Sequence, residues 1–160
     1  MEEAIEKTDN LENRSVFNSA RAKAVRILSR FERSDSYIDK LLDKELKYNN
    51  LNQMDKALLT ELVNGVVRWK LKLDWALVGF YIGDFLKCLN VVKNAMRVGL
   101  YQIMFLDRIP PPVAINESVE LVKRIQGEKI ASIVNGVLRN ILRNMDAIRY
   151  PNKDGELAYY

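Results

Sequence analysis

The sequence predicts an all-α domain, and three observations carry that reading. Apolar residues recur at helical spacing through most of the chain, no stretch alternates at period two for long enough to be a strand, and proline, glycine and capping residues punctuate the pattern. With 160 residues, 48% of them hydrophobic, the chain has material for one domain with a real core.

The elements follow in order. Residues 1–18 are expected to be a flexible, largely acidic and polar segment. Ser19 is placed to cap a helix over Ala20–Arg33, which buries Ala20, Ala24, Ile27, Leu28 and Phe31. Lys23, Arg26, Arg30 and Arg33 line up nearly opposite that stripe. After the turn at residues 34–36, a helix over residues 37–48 buries Ile38, Leu41, Leu42 and Leu46. Asn52, with Asp55 three residues on, reads as the cap of a long helical pattern carrying Leu58, Leu59, Leu62, Val66, Trp69, Leu73, Leu77 and Phe80. That pattern fits either one bent helix or two joined near Lys70. Trp69 and Trp75 are bulky enough to organise a core.

Residues 91–106 are so apolar that they should form a central helix, within which Arg97 needs a partner or a route to solvent. Pro110, Pro111 and Pro112 stop it, and Pro112 suits the first turn of the next helix, whose inner face is Ala114, Ile115, Val119, Val122 and Ile125. Asn116, Glu117 and Glu120 are polar residues near its start. Gly127 closes it, and a last helix runs to about Met145. Residues 19–146 thus form the helical domain, with 147–160 a linker that ends on apolar residues.

One string occurs twice, V-N-G-V-V-R at 63–68 and V-N-G-V-L-R at 134–139. A mid-helix glycine costs roughly 1 kcal/mol relative to alanine, so Gly65 and Gly136 call for a reason. Close helix–helix packing is the commoner one, predicting that a leucine at either position overfills a contact; approach of a ligand backbone is the other. Ser132, Gly136, Arg139 and Arg143 share a face of the last helix.

Composition bounds the chemistry. No apolar run approaches a membrane span, residues 1–13 resemble neither a signal nor a transit peptide, and Cys88 is the only cysteine, so a cytoplasmic protein is expected. The chain has no histidine, hence no usual general base and no ready zinc site. It has no Walker loop, G-x-G-x-x-G or G-x-S-x-G, and its carboxylates form no arrangement that singles them out for catalysis. The net charge of +4 is modest, but Arg14, Arg21, Lys23, Arg26, Arg30 and Arg33 crowd one segment. Such a cluster is either a polyanion-binding patch or a merely solvated basic face, whose substitution would leave stability unchanged.

Four blocks permit a resemblance: L-L-T-E-L-V-N-G-V-V-R-W-K-L-K-L-D-W at 58–75, R-V-G-L-Y-Q-I-M-F-L-D-R-I-P-P at 97–111, V-A-I-N-E-S-V-E-L-V-K at 113–123 and V-N-G-V-L-R-N-I-L-R at 134–143. In order and spacing they resemble the N-terminal domain of the Sun/RsmB-type ribosomal RNA cytosine-5 methyltransferases, which is similar in turn to the antitermination factor NusB. The V-A-I-N-E and V-N-G-V-L blocks are shared by both groups; R-W-K-x-x-L-D-W and R-N-I-L-R favour the methyltransferase branch.

The resemblance implies a NusB-like fold of two packed helical subdomains and a role in docking ribosomal RNA, expected to be that of the small subunit. It implies that S-adenosylmethionine and the catalytic cysteines belong to a methyltransferase domain absent from these residues, so no cofactor and no catalytic role for Cys88 are expected here. Expected partners are RNA and that domain of the same polypeptide. The basic cluster from Arg14 to Arg33 is the first candidate RNA surface, with Arg139 and Arg143 second. An antitermination factor acting with RNA and a ribosomal protein is the alternative.

Overall fold

The computed structural model describes residues 16–33, 37–48 and 51–151. Within them lie six α-helices and no strand. They are α1 Ala20–Arg33, α2 Ile38–Tyr48, α3 Gln53–Phe80, α4 Asn90–Phe105, α5 Pro111–Gln126 and α6 Glu128–Arg143, with short 3₁₀ turns at Phe85–Lys87 and Met145–Ala147. Helices α1–α3 pack as one set and α4–α6 as another, with α1 and α3 both lying against α4.

The local signals act as their chemistry requires. Ser19 Oγ accepts from the Ala22 amide at 3.1 Å, and Asn52 Oδ1 from the Asp55 amide at 2.8 Å, satisfying donors that a helix start leaves orphaned. Pro111 and Pro112 occupy the first turn of α5, where a missing N–H is harmless. Gly127 ends α5 and starts α6 at φ +89°, a left-handed conformation that favours glycine. The long pattern is one helix of 28 residues, continuous through Lys70.

Helix α4 is central: eleven of its sixteen residues are buried. Among them Arg97 is 2% exposed and fully engaged. Its Nε and Nη2 reach Asp74 of α3 at 2.7 and 2.9 Å, and its Nη1 reaches Glu32 of α1 at 2.5 Å and Asn94 at 3.0 Å. The guanidinium thus ties three helices together, the partner its position demanded.

Two expectations need correction. The chain before Asn18 is not all loosely attached, because Phe17 is 2% exposed and the Arg26 guanidinium lies over its ring. And the two V-N-G-V segments are not equivalent. A Cβ at Gly65 would lie 2.1 Å from Tyr101 Cζ, so the missing side chain is what makes room for that ring of α4 against α3. At Gly136 a Cβ would meet nothing within 4 Å. Close packing therefore explains Gly65 and does not explain Gly136. Gly99, which drew no notice in the sequence, is the second tight crossing, 2.6 Å from Ser118 Oγ by the same measure.

Alanine scanning should separate the two sites. Gly65→Ala must displace the buried Tyr101 ring and should cost about 1–3 kcal/mol. Gly136→Ala should stabilise by up to about 1 kcal/mol, the helix-propensity difference alone. Thermal melts shifting in the same direction would contradict the assignment.

Candidate nucleic-acid interface

The basic stripe of α1 does not face solvent along its length. Helix α2 covers it and supplies Glu45, which is 8% exposed. Lys23, only 5% exposed, meets Glu45 Oε1 at 2.9 Å, and Arg26 meets the same oxygen at 2.5 Å. The stripe is opposite the main core, as its spacing indicates, but its first two charges are neutralised inside a helix contact. Lys23 and Arg26 are therefore poor phosphate ligands, and changing Arg26 is no longer expected to spare stability. Arg30 is half-buried and Arg33 exposed at the end of α1, both engaged in interactions. Arg14 lies outside the described residues.

Arg21 points elsewhere. Its Nε donates to Gln102 Oε1 of α4 at 2.6 Å, and Gln102 is itself fixed by donating to the Val98 carbonyl at 2.9 Å. Arg21 lines a groove of about 590 Å³ between the start of α1 and α5, whose walls include Asn18, Ser19, Asn116, Glu117 and Glu120. Glu120 is paired with Arg124 at 3.3 Å on the same wall.

Around the corner, α6 presents the open Gly136 beside two further guanidinium groups. Arg139 Nε donates to Asn135 Oδ1 at 2.8 Å and its Nη2 to Asn116 Oδ1 at 3.4 Å, while Arg143 Nη2 donates to Asn140 Oδ1 at 2.6 Å. Asn116 therefore belongs both to the groove and to the holder of Arg139, joining the two into one surface.

The holders decide what these arginines can do. An amide oxygen orients a guanidinium without cancelling its charge, whereas a carboxylate does both. Among the described residues, Arg21, Arg139 and Arg143 form no salt bridge with a carboxylate, in contrast to Lys23, Arg26 and Arg97. Their charges remain available to an anion arriving from solvent, in positions already fixed.

Sequence reasoning singled out Arg21, Arg139 and Arg143 as candidates but not Gln102, Asn116, Asn135 and Asn140 as the groups that hold them. The signal was present: both later blocks carry an asparagine, in V-A-I-N-E and V-N-G-V. The earlier V-N-G-V copy shows why that signal misleads alone, since its Asn64 is exposed and its Arg68 lies over the Trp69 ring at 5.5 Å.

Fold and groove together define a six-helix domain, counted over the described residues, whose groove margin carries guanidinium groups held by neutral amides. The chain belongs to the NusB family, which it matches over residues 18–143. It is 41% identical over 138 residues to a probable ribosomal RNA small subunit methyltransferase B of Bacillus subtilis, covering 83% of this chain and 30% of that protein. It is 31% identical over 130 residues to the transcription antitermination protein NusB of Bacillus velezensis, covering 81% of this chain and 97% of that protein. A crystal structure of the antitermination factors NusB and NusE in complex with dsRNA shares the fold, at TM-score 0.70 and 26% identity over 78% of this chain and 93% of that one.

The chain thus spans under a third of the length of the methyltransferase relative and nearly all of the NusB one. The match takes up residues 18–143, and the short segments either side of it leave no room for a methyltransferase domain within these 160 residues. No helix among the described residues is long and apolar enough to cross a membrane.

Proposed function

We propose that this chain is the RNA-docking domain of a ribosomal RNA (cytosine-5)-methyltransferase, with small-subunit ribosomal RNA as its ligand. The observation that carries the RNA reading is the pair Arg21 and Arg139, each held by neutral amides and linked through Asn116. Guanidinium groups on the rim bind phosphates, while the carboxylates of Glu117 and Glu120 on the groove wall suit base N–H donors and 2′-hydroxyls rather than phosphate. Gly136 lets a sugar–phosphate chain approach the α6 backbone closely. S-adenosylmethionine enters this proposal only through a methyltransferase domain; the helical groove, without a glycine-rich turn, fits the donor poorly.

The methyltransferase branch is supported by the higher identity to the methyltransferase relative and by the R-W-K-x-x-L-D-W block. The antitermination reading is favoured by one observation, the near-complete coverage of free-standing NusB. A reading frame that continues past Tyr160 into a methyltransferase domain decides for the first, and a stop codon there for the second.

The RNA reading is tested by titrating ribosomal RNA hairpins at several salt concentrations. Arg21→Gln and Arg139→Gln should each weaken binding and lower the log–log salt slope by roughly 0.7–0.9. Arg139 is held near the surface by two amides, so Arg139→Gln should barely move the melting temperature. Arg21→Gln leaves the buried Gln102 Oε1 without its donor and should cost about 1–3 kcal/mol, so binding is compared per folded protein. Unchanged slopes in both variants would remove this surface from RNA binding.

A further inference from the structure

Helix α3 has two apolar faces. One is the core face already described. The other consists of Val67, Leu71, Trp75 and Val78, respectively 39, 46, 45 and 52% exposed, and spaced four, four and three apart so that they form one stripe. Ile82, just past the helix end, is 93% exposed and extends it. Scattered exposed apolar residues need no explanation, but a contiguous stripe marks an interaction surface. Beside it, a groove of about 430 Å³ runs between Trp75, Gly79 and Phe80 of α3 and Asn144 and Ile148 beyond α6. Gly79, the penultimate residue of α3, is open too: a Cβ there would meet nothing within 4 Å.

The chain itself indicates what comes to this face. After the turn at Met145–Ala147 it lies back along α3. Trp75 Nε1 donates to the Arg149 carbonyl at 3.0 Å, and Lys72 Nζ sits 4.8 Å from the Tyr150 ring centroid. Pro151 is therefore delivered to the edge of the stripe. In the methyltransferase relative, the domain matched here makes up under a third of the polypeptide.

We infer that the outer stripe of α3 is the seat of the methyltransferase domain joined to this one in the same polypeptide, an inference that rests on the methyltransferase reading above. A tether fixed at Arg149 makes docking intramolecular, so even a small apolar contact is held at high effective concentration. Exposed Arg68, Lys70 and Arg149 border the stripe, so the complementary face is an apolar patch with an acidic rim. Trp75 is its anchor: large, rigid and already oriented by its hydrogen bond.

The test is hydroxyl-radical footprinting of the full-length polypeptide against the 160-residue chain. Trp75 and Leu71 should be oxidised several-fold more slowly in the full-length protein. L71E combined with V78E should restore fast Trp75 oxidation there while leaving the melting temperature of the 160-residue chain unchanged, because both side chains are half exposed. Equal oxidation rates in the two proteins would overturn the docking proposal alone. So would protection in the 160-residue chain that grows with its concentration, which would indicate a second copy, or protection that appears only with RNA. A reading frame ending at Tyr160 would overturn the methyltransferase reading and the docking proposal with it.

Discussion

Arg97→Met should lower the unfolding free energy by about 3–5 kcal/mol, the usual result of removing one member of a buried ion pair. The loss comes less from the missing guanidinium than from what it leaves behind. Asp74 would keep its charge against the core with neither of its 2.7 and 2.9 Å partners, and Glu32 would retain only Lys70 at 3.8 Å. The variant should melt roughly 10 °C lower, since each kcal/mol is worth about 2–4 °C in a domain of this size. Combining it with Asp74→Leu should recover part of the loss, because two neutral side chains of suitable volume avoid the stranded charge. A double variant as unstable as the two losses added would show that Arg97 and Asp74 act independently.

Glu45→Gln should be almost as damaging, also about 3–5 kcal/mol, although Glu45 lies on the short helix α2. It is the carboxylate that both Lys23 and Arg26 share, and Lys23 is too deeply buried to find water instead. Lys23→Met in the Glu45→Gln background should relieve the stranded ammonium and raise the melting temperature again. The reverse order of effects, with the single Glu45→Gln variant melting like the parent, would mean that Lys23 reaches solvent. RNA binding normalised to folded protein should be unaffected in either variant, which separates this ion pair from the groove around Arg21.

Most of the fold could be read from the sequence because its signals are local. Ser19, Asn52, Pro110 to Pro112 and Gly127 end or begin helices through bonds within a few residues, and the density of apolar residues in α4 leaves no face for water. The site was less legible because its decisive facts are not local. Spacing shows that Lys23 and Arg26 share a side of α1; it does not show that α2 lies over that side with Glu45 turned inward. Likewise an identical V-N-G-V string surrounds Gly65 and Gly136, and only Tyr101, thirty-six residues from the first, makes one a packing position. The four blocks together still point to the family, since their order and spacing reflect the whole fold at once.

The tether between Arg21 and Gln102 has a consequence for hydrogen exchange. Helix α4, enclosed by α1, α3, α5 and α6, is where backbone amides should exchange only when the whole domain opens. Arg21 stands at the margin of the groove yet is bonded to a side chain on that helix, Gln102, which is fully buried. An anion that meets Arg21 therefore meets a group anchored to the slowest-exchanging part of the molecule, and it has little motion to quench on binding. Ligand should accordingly protect the amides of α5 and α6 along the groove while leaving those of α4, already at the limit set by global opening, to gain only through the rise in overall stability.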